Sequence, residues 1–169
     1  MSNSTSPVET PSLKRRLICL VYETFLVIAV AALGILLFLL LTQKLSDTVI
    51  YYGRHVALFV AVGVYLVHSW AGTGFTLAMK TWRIKLVKVG YARVPVKAAI
   101  VRYAFAWGWV LPALAVSYFF RLSHGQTGVA VGLGIGAWAL TVFLDKDRQF
   151  LHDRIAGTRL ISLPKPEKK

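Results

Sequence analysis

The stretch LICLVYETFLVIAVAALGILLFLLLTQ, residues 17–43, decides the fold. Its one charged residue is Glu23. An α-helix rises about 1.5 Å per residue, so roughly 20 apolar residues cross the hydrocarbon core of a bilayer. The run exceeds that length. Its apolar residues cover every face of the helix rather than one stripe, as a helix surrounded by lipid requires. A cleaved secretory leader is a poor alternative, because the run is too long and no small-residue cleavage site follows it.

Three further apolar segments follow, at about 49–70 (from Val49 or, more narrowly, His55), 98–120 and 127–144. The whole chain agrees: of 169 residues, 56% are hydrophobic, and the mean hydropathy is +0.60. These four spans predict an all-α membrane protein built as a four-helix transmembrane bundle. The net charge of +13 invites a nucleic-acid reading. The basic residues lie between the apolar runs and form no single stripe, which excludes it. Cys19 is the one cysteine and sits inside the first run, so a disulfide scaffold and a cysteine metal site are also excluded.

Charge sets the orientation. Lys14, Arg15 and Arg16 precede the first span, and Lys80, Arg83, Lys85, Lys88, Arg93 and Lys97 fill the loop between the second and third. Seven more cations lie between Lys146 and Lys169, whereas the other two loops carry Lys44, Arg54 and Arg121. By the positive-inside rule both termini and the 80–97 loop are cytoplasmic. Residues 1–12, MSNSTSPVETPS, read as a disordered tail, 13–163 as the membrane domain and 164–169 as a basic tail. Tyr51, Tyr52, Trp70, Trp82 and Tyr118 fall near span ends, where aromatic rings anchor. Trp107, Trp109 and Trp138 lie deeper and read as packing residues.

Small residues predict the contacts between spans. Gly128, Gly132 and Gly136 recur every four residues in the last span. Such a stripe lets two backbones approach closely, here spans three and four, or two copies of the chain. Ala104 and Gly108 repeat the spacing in the third span, and Pro112 predicts a kink there.

Few residues have the chemistry for a site. Glu23 lies seven residues after Arg16, about 20° off the same helical face and roughly 10 Å deeper. A carboxylate at that depth is costly, so it should point inward and be protonated or paired. Two readings stand: a proton- or cation-binding carboxylate, and a structural pair with an Arg, a Tyr or a backbone donor. His68, near the end of span two, reads as an interfacial histidine, with a proton relay to Glu23 as the sharper alternative. AGTGFTLAMK, 71–80, lacks the glycine before lysine of a phosphate loop and reads as a break with a threonine cap. RIKLVKV, 83–89, predicts a strand in a hairpin turning at Gly90-Tyr91, or a surface segment on anionic headgroups.

The tail DKDRQFLHDRIAGTRL, 145–160, predicts a short cytoplasmic amphipathic helix capped by Asp145 and ended by Gly157. Phe150, Leu151 and Ile155 should face the bundle, with Asp147, Arg148 and Arg154 turned away. TRLIS is then free to pair with RIKLVKV, a small β pairing. His152 and Asp153 hold this cap to basic neighbours such as Arg16.

LKRRLICLVYE at 13–23, GFTLAMKTWRIKLV at 74–87 and DKDRQFLHDRIAGTRLI at 145–161 together resemble the RDD family of bacterial membrane proteins. The family takes its name from an arginine and two aspartates. The resemblance implies that Arg16 is the arginine, that Glu23 replaces the first aspartate while keeping a carboxylate, and that Asp153 is the second. Phe75 stands where the family has glutamine, which removes a polar group. The resemblance further implies residence in the bacterial inner membrane, no cofactor, and transport of small ligands or ions.

Two function classes follow. In the first, Glu23 binds a cation, proton or small ligand during transport, Arg16 sets its proton affinity and Asp153 gates from the cytoplasm. Four spans without an inverted repeat are thin equipment for alternating access, which dimerisation would mend. In the second, the protein is a non-catalytic scaffold or accessory subunit, whose glycine stripe takes a partner helix and whose basic loop takes anionic lipid. An enzyme is not expected: no nucleophile–base pair is present, and His152-Asp153 lacks the further His and Asp ligands of a metal phosphohydrolase.

Overall fold

The computed structural model describes residues 9–144 and 149–164. It forms two compact units, 1–86 with 161–169, and 87–160. Among the described residues three helices are long and apolar enough to cross a membrane, and a bent helix pair makes a fourth candidate. Two of these candidates fall in each unit.

In the first unit α1 runs from Leu13 to Leu41, capped by Ser12, whose hydroxyl accepts from the Arg15 N–H. It ends at Thr42, whose own N–H and hydroxyl both donate to the Phe38 carbonyl. After a tight turn α2 runs from Asp47 to Gly72, with Asp47 placed favourably at the positive end of the helix dipole. The two pack closely because small residues meet: a Cβ on Gly34 would lie 2.5 Å from Ala61 Cβ, and Gly53 lies against the Phe38 ring. Neither glycine belongs to the four-residue repeat that the sequence advertised.

Thr76 then caps the five-residue helix α3, Leu77–Thr81, which packs on α1. Strand β1, Ile84–Val87, follows, with Ile84 and Leu86 fully buried. It pairs with β2, Arg159–Ser162, in a two-stranded sheet. The pairing of RIKLVKV with TRLIS is therefore present. The alternative hairpin turning at Gly90-Tyr91 is not, because Pro95, in the segment that would return, takes the N-cap position of the next helix, with no N–H to offer a ladder. Residues 9–12 have defined partners: besides the Ser12 cap, the Glu9 carbonyl accepts from the Ser162 N–H at 2.8 Å. The tail positions 1–8 and 165–169 lie outside the described residues.

In the second unit the expected third span is broken. Helix α4, Val96–Ala106, gives way to a 3₁₀ turn at Trp107–Trp109, and α5 resumes at Leu111–Phe119, bent by 43°. Pro112 sits in the first turn of α5, where its missing N–H has no partner to lose. The expected kink thus becomes a break with proline just after it. Helix α6, His124–Leu140, starts at a capping box: Gln126 N–H donates to Ser123 Oγ, and Ser123 N–H donates to Gln126 Oε1. It ends in a 3₁₀ turn, Thr141–Leu144.

Helix α6 packs on α5 and on the break, but not through the predicted stripe. A Cβ on Gly128, Gly132 or Gly136 would meet nothing within 4 Å. Gly134 instead sits against the Trp109 carbonyl, and the Trp138 ring lies over Gly108, 2.8 Å from a would-be Cβ. For the contact of α6 with α5, periodicity marked the right helix and the wrong face. Gly134→Ala is accordingly expected to cost about 1–3 kcal/mol, since the new methyl strikes backbone. Gly132→Ala should be neutral or slightly stabilising, by up to about 1 kcal/mol of helix propensity. Thermal unfolding in detergent compares the two, and equal losses would restore the stripe as the contact between spans.

Helix α7, Leu151–Ala156, packs on α4 and ends at Gly157, whose left-handed φ of 64° no β-branched residue tolerates well. Arg154 is exposed as expected, but the aliphatic residues do not face inward as expected. Asp153 and Ala156 are buried, while Leu151 and Ile155 are 39% and 44% exposed. The charged residue faces inward because an arginine awaits it there. The predicted N-cap Asp145, with Asp147 and Arg148, lies outside the described residues; Phe150 holds the N-cap position of α7.

Candidate functional site

The first unit builds a centre around Glu23. Tyr65 of α2 donates its hydroxyl to Glu23 Oε1 at 3.0 Å, and Thr76 donates its hydroxyl to Glu23 Oε2. The same Thr76 oxygen accepts from the Met79 N–H at 3.2 Å. One hydroxyl thereby caps α3 and holds the span's carboxylate, using its proton for one task and a lone pair for the other. Two elements, α2 and the turn before α3, converge on a carboxylate carried by α1. Of the two readings of Glu23, tyrosine is among the donors foreseen for a structural pair.

Arg15 steadies the loop that presents Thr76. Its Nε donates to the Trp82 carbonyl at 2.7 Å, Nη2 to the Arg83 carbonyl at 3.0 Å and Nη1 to Ser162 Oγ at 2.6 Å. A guanidinium suits this task, since its fork holds several donors in a fixed plane. Trp82 also meets Tyr22 of α1 edge-on, with ring centroids 5.7 Å apart. Gly74 permits the turn itself: its φ is 79°, and a Cβ there would come within 2.7 Å of the Leu86 carbonyl.

The second unit holds a centre around Asp153, which is 0% exposed. Arg102 of α4 donates from Nε to Asp153 Oδ1 at 2.6 Å, and both side chains are buried. A buried ion pair is sustained only by close geometry and added hydrogen bonds. The backbone around it is tied down as well. The Asp153 carbonyl accepts from the Thr158 N–H and hydroxyl, and the Gln149 side chain exchanges hydrogen bonds with the Leu160 backbone.

His152 is sandwiched between aromatic rings. It stacks on Trp138 with planes 2° apart and on Phe150 with planes 10° apart. Trp138 Nε1–H donates to His152 Nδ1 at 3.3 Å, which assigns the proton to Nε2, 3.5 Å from Asp153 Oδ2. Burial drives the His152 pKa down to about 4, Asp153 pulling the other way and Arg102 adding to the fall. A base with a depressed folded pKa stays neutral while the unfolded chain takes up a proton below about 6.5. The stability is fully present above 6.5 and is lost as pH falls toward 4, by up to about 3 kcal/mol. Wild type should lose more thermal stability between pH 7.5 and 5 than His152→Phe does. Equal losses would mean that His152 is not the group that titrates.

Of the three residues that the resemblance implies, Arg16 and Glu23 belong to the first unit and Asp153 to the second. Arg16 is buried on α1, the helix that also carries Glu23, whereas Asp153 has Arg102 and His152 beside it in the second unit. His68 is exposed on α2 and makes no hydrogen bond to Glu23 among the described residues. Arg102, Tyr65 and Arg15 were not foreseen in these roles, and the threonine expected as a helix cap was not foreseen as a donor to Glu23. Arg102 had a signal: an arginine inside an apolar run requires a partner, and the carboxylates nearest a membrane end lie in the tail. Tyr65 had none, being 42 residues from Glu23. Among the described residues no three His, Cys, Asp or Glu side chains converge to hold a metal ion.

A family model described as the RDD family matches residues 10–157. No match was found among curated proteins or among solved structures.

Proposed function

Because the chain belongs to the RDD family, we propose that it is a multi-pass protein of the bacterial inner membrane that binds a proton or small cation at Glu23 during transport. The observation that carries this reading is the carboxylate inside the first candidate span, held by the Tyr65 and Thr76 hydroxyls. A hydroxyl can donate to a bare carboxylate, then rotate and offer its oxygen to a cation. Two carboxylate and two hydroxyl oxygens form the hard donor set that alkali and alkaline-earth ions prefer. One acidic charge matches a proton or a monovalent ion. Arg16, one heptad earlier on α1, balances the charge when the site is empty, and Asp153 with Arg102 anchors the tail.

Both termini and the 80–97 loop face the cytoplasm, with the loop's cations on anionic headgroups. The protein performs no covalent chemistry and carries no cofactor in this account. A second reading is a non-catalytic scaffold or accessory subunit. The open face of α6 at Gly128, Gly132 and Gly136 favours it, since a partner helix or a second copy could approach there without steric cost.

Flux separates the two. Purified chain in proteoliposomes should move protons or alkali cations down an imposed gradient, and Glu23→Gln should reduce the rate at least tenfold. Wild-type liposomes no leakier than protein-free ones would sink transport and leave the scaffold.

A further inference from the structure

Helix α7 presents two opposed faces. At about 100° per residue Leu151, Arg154 and Ile155 share one side, and Asp153 and Ala156 the other. The inner side is accounted for by α4. The outer side, two aliphatic residues flanking one arginine, is exposed.

Two candidate spans fix the level at which α7 lies. Asp153 is bonded to Arg102, six residues into α4, about 9 Å from the start of that helix. His152 stacks on Trp138 and accepts its indole N–H, and Trp138 lies five residues before the end of the candidate span His124–Phe143, about 8 Å inside it. The start of α4 and the end of α6 face the same side of a membrane if each span crosses once. A helix held by both therefore sits at the boundary of the bilayer and not out in solvent. Val96, Ile100 and Phe143, at the same end of these spans, are exposed in the same way.

We infer that α7 is a membrane-interface helix, whose Leu151 and Ile155 insert among lipid acyl chains while Arg154 reaches the phosphate layer. The occupant of the outer face is thus the bilayer itself. Aliphatic residues beside an arginine at this depth suit the interface, where the long arginine stem lies along acyl chains and its head stays wet. Such seating also explains why the more polar side of so short a helix is its buried one. With lipid on one flank, Asp153 has to be satisfied by Arg102.

The test uses wild-type chain in vesicles of phosphatidylethanolamine and phosphatidylglycerol. A membrane-partitioned apolar carbene reagent is photolysed and the adducts are mapped by mass spectrometry. Leu151 and Ile155 should be labelled at a yield within about threefold of Ile100, and Asp153 and Ala156 should not. Absence of adducts at 151 and 155, with Ile100 labelled, would overturn the proposal. Spin labels at Leu151→Cys and Ile155→Cys, with Cys19→Ala, give a second reading. Greater accessibility to oxygen than to a water-soluble nickel chelate supports insertion. The reverse order places the face in water, and exclusion of both places it under protein; either result overturns the proposal.

Discussion

Replacing Arg102 with methionine is expected to destabilise the second unit by about 3–5 kcal/mol. The substitution removes the guanidinium 2.6 Å from a carboxylate that is 0% exposed. Water cannot reach Asp153 to replace it, so the chain must protonate the acid, unpack α7 or carry the charge uncompensated. Asp153→Asn strands the buried Arg102 charge in turn and should lose somewhat less, because the amide oxygen can still accept from Arg102 Nε. The double variant should recover much of the Arg102→Met loss, giving a coupling of several kcal/mol in a double-mutant cycle. Unfolding in detergent at pH 7.5 measures all three. Losses that simply add would show that the pair is not coupled.

The second large effect is expected at Thr76. Thr76→Val keeps the shape and removes the hydroxyl, which deletes the donor to Glu23 and the acceptor for the Met79 N–H together. A lost helix cap costs about 1 kcal/mol, and a lost donor to a charged group about 1.5–3. Since both bonds share one oxygen, a total of about 2–3 kcal/mol is expected. Thr76→Ser retains both bonds and should lose less than about 1 kcal/mol. Amide exchange at Met79 supplies the specific readout, faster in the valine variant and near wild type in the serine variant. Faster exchange in neither variant would remove Thr76 from the account.

The membrane class was legible because it depends on summed hydropathy, which a run such as 17–43 states without reference to partners. Helix ends were legible where a side chain signals locally, as at Thr76 and Gly157. The pairing of β1 with β2 could be read from two short aliphatic segments, although the first, RIKLVKV, also suited a local hairpin or a surface segment on headgroups. What escaped depends on which face of an element meets which neighbour. Glycine spacing on α6 is identical for the open stripe and for any other, and only the broken α4–α5 span selects Gly134. The face of α7 was misread because apolar residues were assumed to point inward, a rule that fails where lipid lies outside. Arg102 was a cation without an assigned partner in its run, and its pairing with Asp153 could have been argued from cost alone. Tyr65 meets Glu23 through the crossing of α1 and α2, which no local pattern encodes.

In the proposed transport reading, Glu23 changes its proton or ion state when the site is filled. Difference infrared spectroscopy on reconstituted protein reads that change at the carboxyl group itself, on exchanging choline chloride for sodium or potassium chloride and on a step in pH. The account predicts a carboxyl difference band in wild type that disappears in Glu23→Gln, with its position altered in Tyr65→Phe. Identical difference spectra from wild type and Glu23→Gln would contradict it.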